Sequence, residues 1–334
     1  MKTNVFRIIL VCLIIGVGGI FGWLVFPKEN GVLISPLSMV KEKPLEKYSI
    51  LRLASREFIP SPIVLSEPTA TTSAYTVYPF SFVSDGKKVT GIAHIPISVN
   101  PEKTFPVVVQ LRGYVDREIY TPGMGTTHSA EVYAKNGYIS FAPDFLGYGG
   151  SDAPSLSPIE ERLETYTTAL TLLASVPRFP HADPTRIGLW GHSNGGQIAL
   201  TLLTVLGDRA VPTAVWAPVT KPFPYNILYY TDEFDDRGKA LRKVVADFEA
   251  DYDADLYSMT QYLDRIAVPI QLSQGTNDDA VPFAWSDSFV ELLEEKKTDV
   301  TYYIYSGADH NLAGGDAWNS AMGRDMQFFA AAWK

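Results

Sequence analysis

The sequence predicts a doubly wound α/β fold: a mostly parallel sheet, an antiparallel hairpin before it, and a short helical insertion late in the chain. Three observations carry this. Short, near-continuous apolar runs recur from Phe105 onward, segments with helical apolar spacing lie between them, and an alternating apolar and polar stretch centred on Asp85-Gly86 comes first. Strands covered by helices on both faces read as unbroken apolar runs, and strand-helix alternation after a hairpin builds a doubly wound sheet. With 334 residues, 46% of them hydrophobic and 12% aromatic, the chain can bury one large core.

Taken in order, Phe6 to Phe26 is an apolar run broken only by Arg7, and its length matches the ~20 residues that span a bilayer as a helix. Lys2 and Arg7 precede or enter it, so the amino terminus is expected in the cytoplasm and the remainder outside. A single-pass signal anchor over residues 1–26 is the expectation, with secretion after cleavage as the alternative. Against cleavage, the run continues through Ile20 to Phe26, whereas the apolar core of a cleaved signal is usually only about 7–15 residues long. Cys12 is the single cysteine and lies inside the run, so the outward part holds no internal disulfide. Residues 27–74, with Pro27, Pro36, Pro44, Pro60, Pro62 and Pro68, read as a stalk carrying one short helix from Leu45 to Phe58.

The domain is expected over residues 75–334. Tyr75 to Pro96 reads as two strands joined at Asp85-Gly86. Further strands are predicted at 105–111, 137–144, 186–190, 213–219, 268–275 and 301–307, with helices at 128–136, 158–175, 196–207, 283–296 and 316–333. Residues 222–262, rich in acidic and aromatic side chains, form an insertion suited to capping a site. Inside it, Asp251, Asp253 and Asp255 alternate like the start of a calcium loop, but Leu256 and Tyr262 stand where such a loop needs Gly and Glu. The net charge of −9 argues against a nucleic-acid surface.

Chemistry concentrates at Gly191-His192-Ser193-Asn194-Gly195, between a strand-like run ending at Trp190 and a helix-like one from Gln197. Small residues around a serine allow a sharp strand-to-helix bend that pushes the hydroxyl outward. A serine attacks at neutral pH only if a base takes its proton and a third group orients that base. In this kind of sheet the acid and then the histidine follow the serine, each after a later strand. Of the five histidines, His94, His128, His181 and His192 precede Ser193, leaving His310 in "GADHNLAGG" as the base. His192 is read as shaping the bend, and the other three as structural. The acid follows the run Val268 to Leu272, where Asp278 and Asp279 are equivalent by spacing alone.

The segments Gly191-His192-Ser193-Asn194-Gly195-Gly196, Gly275-Thr276-Asn277-Asp278 with Val281-Pro282, and Gly307-Ala308-Asp309-His310 together resemble the catalytic domain of the prolyl oligopeptidase family of serine peptidases. They are similar also to the related dienelactone-hydrolase-like group. "DPTRIGLWGHSNGG" and "APDFLGYGGSD" extend the likeness to roughly residues 75–334. The resemblance implies an α/β-hydrolase fold and a triad of Ser193, Asp278 and His310, the family pattern selecting Asp278 over Asp279. The oxyanion of the tetrahedral intermediate needs N–H donors: one is expected from the Asn194 backbone, the other from Tyr114 in the loop after "FPVVVQL". Here the chain departs from many relatives, having Arg112-Gly113 where they carry His-Gly.

The resemblance implies a serine hydrolase acting on a small peptide, with a carboxylesterase as the alternative and a non-catalytic surface binding module as a remote third. Ester cleavage asks less of His310 than expelling an amine does, so residue identity does not separate the first two. The larger relatives gate their site with a β-propeller; about 75 residues precede the domain here, too few for one, so gating is expected either from the 222–262 insertion or not at all, which keeps the carboxylesterase open. The expected partners are that substrate and, through the amino-terminal helix, the lipid bilayer. No His-Glu-x-x-His or similar spacing calls for a metal, and the mechanism needs no cofactor.

Overall fold

A computed structural model describes residues 42–100 and 102–334. Its centre is a ten-stranded sheet ordered β1-β3-β4-β6-β5-β7-β8-β9-β10, with β2 also paired to β3. The strands are β1 (Val64–Leu65), β2 (Ala70–Thr71), β3 (Tyr75–Ser84), β4 (Lys87–Pro96), β5 (Phe105–Leu111), β6 (Ile139–Pro143), β7 (Ala182–His192), β8 (Thr213–Trp216), β9 (Ile270–Gly275) and β10 (Val300–Tyr305). From β6 through β10 all neighbours are parallel, and β3, β4 and β6 pair antiparallel. The predicted hairpin turns at Asp85-Gly86, both with positive φ, as a tight two-residue connection requires.

The parallel strands β5, β6, β8 and β9, and β7 from Ile187 to Gly191, are buried almost throughout, which is why their sequences lack alternation: Val107, Val108 and Val109 of β5 and Leu189 of β7 are inaccessible, whereas β10 at the sheet edge is largely open. Helices cover both faces. Pro158–Ser175 and Asn194–Leu206 belong to the larger core with Leu163, Leu172, Ala199 and Leu203; Thr127–Lys135 and Ala317–Ala332 supply Tyr133, Met322 and Phe329 to a second cluster on Trp190 and Trp216. Gly188 permits that second layer, since a Cβ there would meet the Phe329 ring at 2.5 Å. Buried Asp325 ties the last helix to the sheet by accepting from Trp216 Nε1 at 2.9 Å and Gln271 Nε2 at 2.5 Å.

The domain begins earlier than the sequence reading placed it. Residues 43–74 are not a stalk: Lys43–Lys334 forms one compact unit. Pro44–Tyr48 and Ile50–Ser55 are short helical turns whose Tyr48, Ile50 and Leu53 lie in the main core. One turn with two inward positions is too short a pattern to stand out among prolines. The prolines serve as a helix start and as extended edge, with Ser61 N–H donating to Ser175 Oγ at 2.9 Å and Val83 N–H to Ser61 Oγ at 2.9 Å. The expected membrane segment, and the stalk up to residue 41, lie outside the described residues. Among the described residues no helix is long and apolar enough to cross a membrane.

One buried group gives the fold a pH dependence. His94 on β4 is 2% exposed beside Tyr75, and burial, against the weaker pull of Glu131, lowers its pKa to about 4. Above pH ~6.5 the ring is neutral folded or unfolded; as pH falls toward 4 only the unfolded chain binds the proton, so stability present above the unfolded value is lost over that window. A shift of this size corresponds to about 3 kcal/mol. Urea unfolding of wild type and His94→Gln at pH 7 and 4.5 checks this: the gap between the two should narrow or invert at the lower pH. An unchanged gap would remove His94 as the cause.

Candidate active site

The carboxyl ends of β5, β7, β9 and β10 meet on one edge of the sheet, where open α/β sheets hold their ligands. β7 ends at His192 and a helix begins at Asn194, so Ser193 makes the whole turn and is held at φ 56° and ψ −120°. Positive φ is costly for a residue with a side chain and persists where the surroundings fix it. Ser193 N–H donates to Trp216 O at 2.9 Å, and the Ser193 carbonyl receives Gln197 N–H at 3.1 Å and Val219 N–H at 3.2 Å. Glycine is required beside it: a Cβ on Gly195 would lie 1.9 Å from the Leu111 carbonyl oxygen.

His310 lies in the loop after β10. Its Nδ1 is 3.0 Å from Asp278 Oδ1 and 2.9 Å from Oδ2. A carboxylate only accepts, so Nδ1 carries a proton in this contact, which leaves Nε2 as the nitrogen that can accept one when the ring is neutral. Asp278 is fully enclosed at its side chain while His310 keeps 15% exposure. The carboxylate also accepts from Ala280 N–H at 2.9 Å, Val281 N–H at 2.7 Å and Gln274 Nε2 at 2.8 Å, and Gln274 is itself fixed by Ser286 Oγ at 2.7 Å. Burial alone would raise its pKa; the hydrogen bonds from His310 and Val281 overcome this and hold it below the ordinary carboxylate value. Asp279, equivalent by spacing, is exposed.

His192 links the elbow to this pair. Its Nε2 is 2.9 Å from the His310 carbonyl, which can only accept, and the two rings are 4.7 Å apart. Burial, and then the neighbouring His310, lowers the His192 pKa to about 4, so the ring is a neutral donor at pH 7. This strut escaped the sequence reading because its acceptor is a backbone oxygen, a group every residue carries.

Both expected oxyanion donors border the serine. Asn194 opens its helix, where an N–H has no intrahelical acceptor, and its side chain is turned aside by Arg162 Nη2 at 3.1 Å. Gly113 packs against the elbow, a Cβ there falling 3.1 Å from Ser193 Cβ, and this brings the Gly113–Tyr114 peptide to the site. The Tyr114 ring is largely exposed, its hydroxyl donating to Asp116 at 2.8 Å.

Two flanks complete the edge. Val219, Val281 and Trp285 form a small apolar cluster on which Tyr230 of the insertion packs, and the Tyr229 ring meets Trp285 at 4.5 Å. A cavity of about 220 Å³ opens on the other side of His192, lined by Trp190, Trp216, Asn311 and a His128 ring stacked on Trp318 at 3.8 Å. The sequence leaves this wall unassigned, since Trp190, Trp216, His128 and Trp318 sit in strands and helices, where an aromatic is as often core packing as pocket lining.

A serine held at positive φ at a strand-to-helix elbow and a histidine-carboxylate pair share one edge of an α/β-hydrolase fold, and the relatives of the chain make it a serine hydrolase. The chain belongs to the prolyl oligopeptidase family, whose model matches residues 125–334. Among its relatives, "Probable dipeptidyl-aminopeptidase B" of Ajellomyces capsulatus is 24% identical over 243 residues, 70% of this chain but only 25% of that one. An uncharacterized peptidase of Bacillus subtilis, YtmA, is 24% identical over 236 residues, 70% of this chain and 86% of its own length. Of solved structures, the acetyl xylan esterase of Paenibacillus sp. R4 superposes with a TM-score of 0.61 at 16% identity, covering 85% of this chain and 92% of that one, a likeness of fold.

Proposed function

We propose that this protein is a serine-type peptidase that cleaves small peptides through an acyl-enzyme on Ser193. The observation that carries the reading is the two-oxygen contact of Asp278 with His310 Nδ1 at 2.9 and 3.0 Å, in a loop tied to the serine elbow through His192. In this reading His310 Nε2 takes the Ser193 proton as Oγ adds to the scissile carbonyl. Asp278 orients the imidazole and stabilises its cation. The Asn194 and Tyr114 N–H groups stabilise the oxyanion. His310 then returns the proton to the departing amine, and water repeats the sequence on the ester.

The insertion 222–262 serves as one wall of the substrate pocket. Supporting this, Tyr230 packs on the cluster of Val219, Val281 and Trp285, in which the Val219 and Val281 N–H groups donate to the Ser193 carbonyl and to Asp278 Oδ1. Phe6 to Phe26 anchors the chain with the domain facing outward, supported by the length of that run and by Lys2 and Arg7 at its cytoplasmic end.

The test is hydrolysis by the full-length protein of two matched panels, short acyl nitrophenyl esters and aminoacyl or dipeptidyl amides. Amide turnover is expected. Ester turnover without any amide turnover would make the protein an esterase on the same machinery.

A further inference from the structure

The residue that departs from the family pattern, Arg112, is only 5% exposed, although arginine is almost never buried without a partner. Its guanidinium lies 4.1 Å from the Tyr148 ring centre, 4.7 Å from Tyr120 and 5.6 Å from Phe145. Among the described residues no carboxylate oxygen receives it. Asp144, whose backbone carbonyl Arg112 holds, spends its carboxylate oxygens on Thr90 Oγ1 at 2.5 Å and Tyr120 O–H at 2.6 Å. What Arg112 binds is backbone: Nη1 donates to Gly113 O at 2.9 Å and Nη2 to Asp144 O at 3.0 Å.

That choice of acceptor has a geometric consequence. A trans peptide holds its C=O and the following N–H in one plane, pointing in opposite directions. Drawing the Gly113 carbonyl toward Arg112 therefore turns the Tyr114 N–H the other way, in a peptide that Gly113 already presses against Ser193. Tyr114 N–H finds no acceptor among the described residues. Two residues further on, Val115 O is pinned too, receiving the Tyr148 hydroxyl at 3.0 Å. The cage that holds the guanidinium thus also holds the loop.

We propose that Arg112 is the positioning residue of the oxyanion site, fixing the Gly113–Tyr114 peptide so that the Tyr114 N–H faces the tetrahedral oxygen. The proposal rests on Ser193 as nucleophile and adds what aims the second donor. Arg112 touches no substrate and acts only through the peptide it holds.

The experiment compares full-length wild type with Arg112→Met, which keeps length and packing but removes the donors, and with Arg112→Lys, which keeps the charge but reaches one carbonyl. A nitrophenyl ester reports kcat and KM, phenylboronic acid reports affinity for a tetrahedral adduct, and a melting curve reports folding. In Arg112→Met, kcat and boronate affinity should fall together, each by about 100-fold, with KM within about threefold. Arg112→Lys should fall between the two. A folded Arg112→Met that keeps kcat and boronate affinity within about twofold of wild type overturns the proposal, as does a rise in KM with kcat unchanged. If Arg112→Met does not fold, the same criteria applied to Arg112→Lys decide. Failure of the underlying reading looks different: a fluorophosphonate probe would then leave wild-type Ser193 unlabelled, and the proposal falls with it.

Discussion

Replacing Ser193 by Ala is expected to lower kcat by about 10⁶-fold while the protein stays folded. Both halves of that expectation come from the geometry. What holds residue 193 at φ 56° is backbone: its N–H on Trp216 O, and its carbonyl under the Gln197 and Val219 N–H groups. Alanine keeps the Cβ and every one of those bonds, so the elbow and the helix behind it should persist. Lost is the hydroxyl oxygen that, in the proposed mechanism, forms the acyl bond. A residual rate above that of water is expected, because oxyanion donors still act on a bound substrate. Steady-state hydrolysis and fluorophosphonate labelling of the two proteins, with melting curves alongside, check the result. A folded Ser193→Ala variant with wild-type turnover would move the chemistry to another part of the molecule.

Much of this site was legible in the sequence because its main constraints are local. A serine that must turn a strand into a helix needs small neighbours on either side, and Gly191, Gly195 and Gly196 advertise that. Likewise, β5 runs from Phe105 to Leu111 as the apolar run predicted, and the Pro158–Ser175 helix begins and ends where its pattern does, with Ser157 as its cap. Chain order narrowed the base to His310, and the family pattern chose Asp278. Long-range features bonded to backbone were not legible. Arg112 holding the Gly113 carbonyl, and His192 holding that of His310, use acceptors with no side-chain signature. The same limit explains residues 43–74. Their burial depends on Ile50 and Leu53 meeting the Asn194–Leu206 helix, more than a hundred residues downstream, and a single helical turn shows too little periodicity to reveal it.

Replacing Asp278 by Asn should lower kcat by about 10⁴-fold with little change in KM. The acceptor sites make the argument. In the wild type both carboxylate oxygens face donors: His310 Nδ1 lies near both, Ala280 and Val281 N–H meet Oδ1, and Gln274 Nε2 meets Oδ2. An asparagine has one oxygen for these donors. If that oxygen stays on the two backbone N–H groups, the new NH₂ faces His310 Nδ1, which must then accept. The proton moves to Nε2, and the atom meant to receive the serine proton is already occupied. The same NH₂ also opposes the Gln274 amide, whose orientation is fixed by Ser286. The stability signature is separate from the catalytic one. Because the folded-state pKa of Asp278 is depressed, its charge contributes stability that is present above the unfolded carboxylate value near 3.9 and lost as pH falls through the folded one. Asp278→Asn should therefore be less stable than wild type at pH 7 and should converge with it in acid. Kinetics at neutral pH, with urea unfolding at pH 7 and pH 3, measure both. Wild-type kcat in the Asn variant would remove Asp278 from the triad, whereas low kcat with a pH-independent stability gap would keep its orienting role and discard its charge as a source of stability.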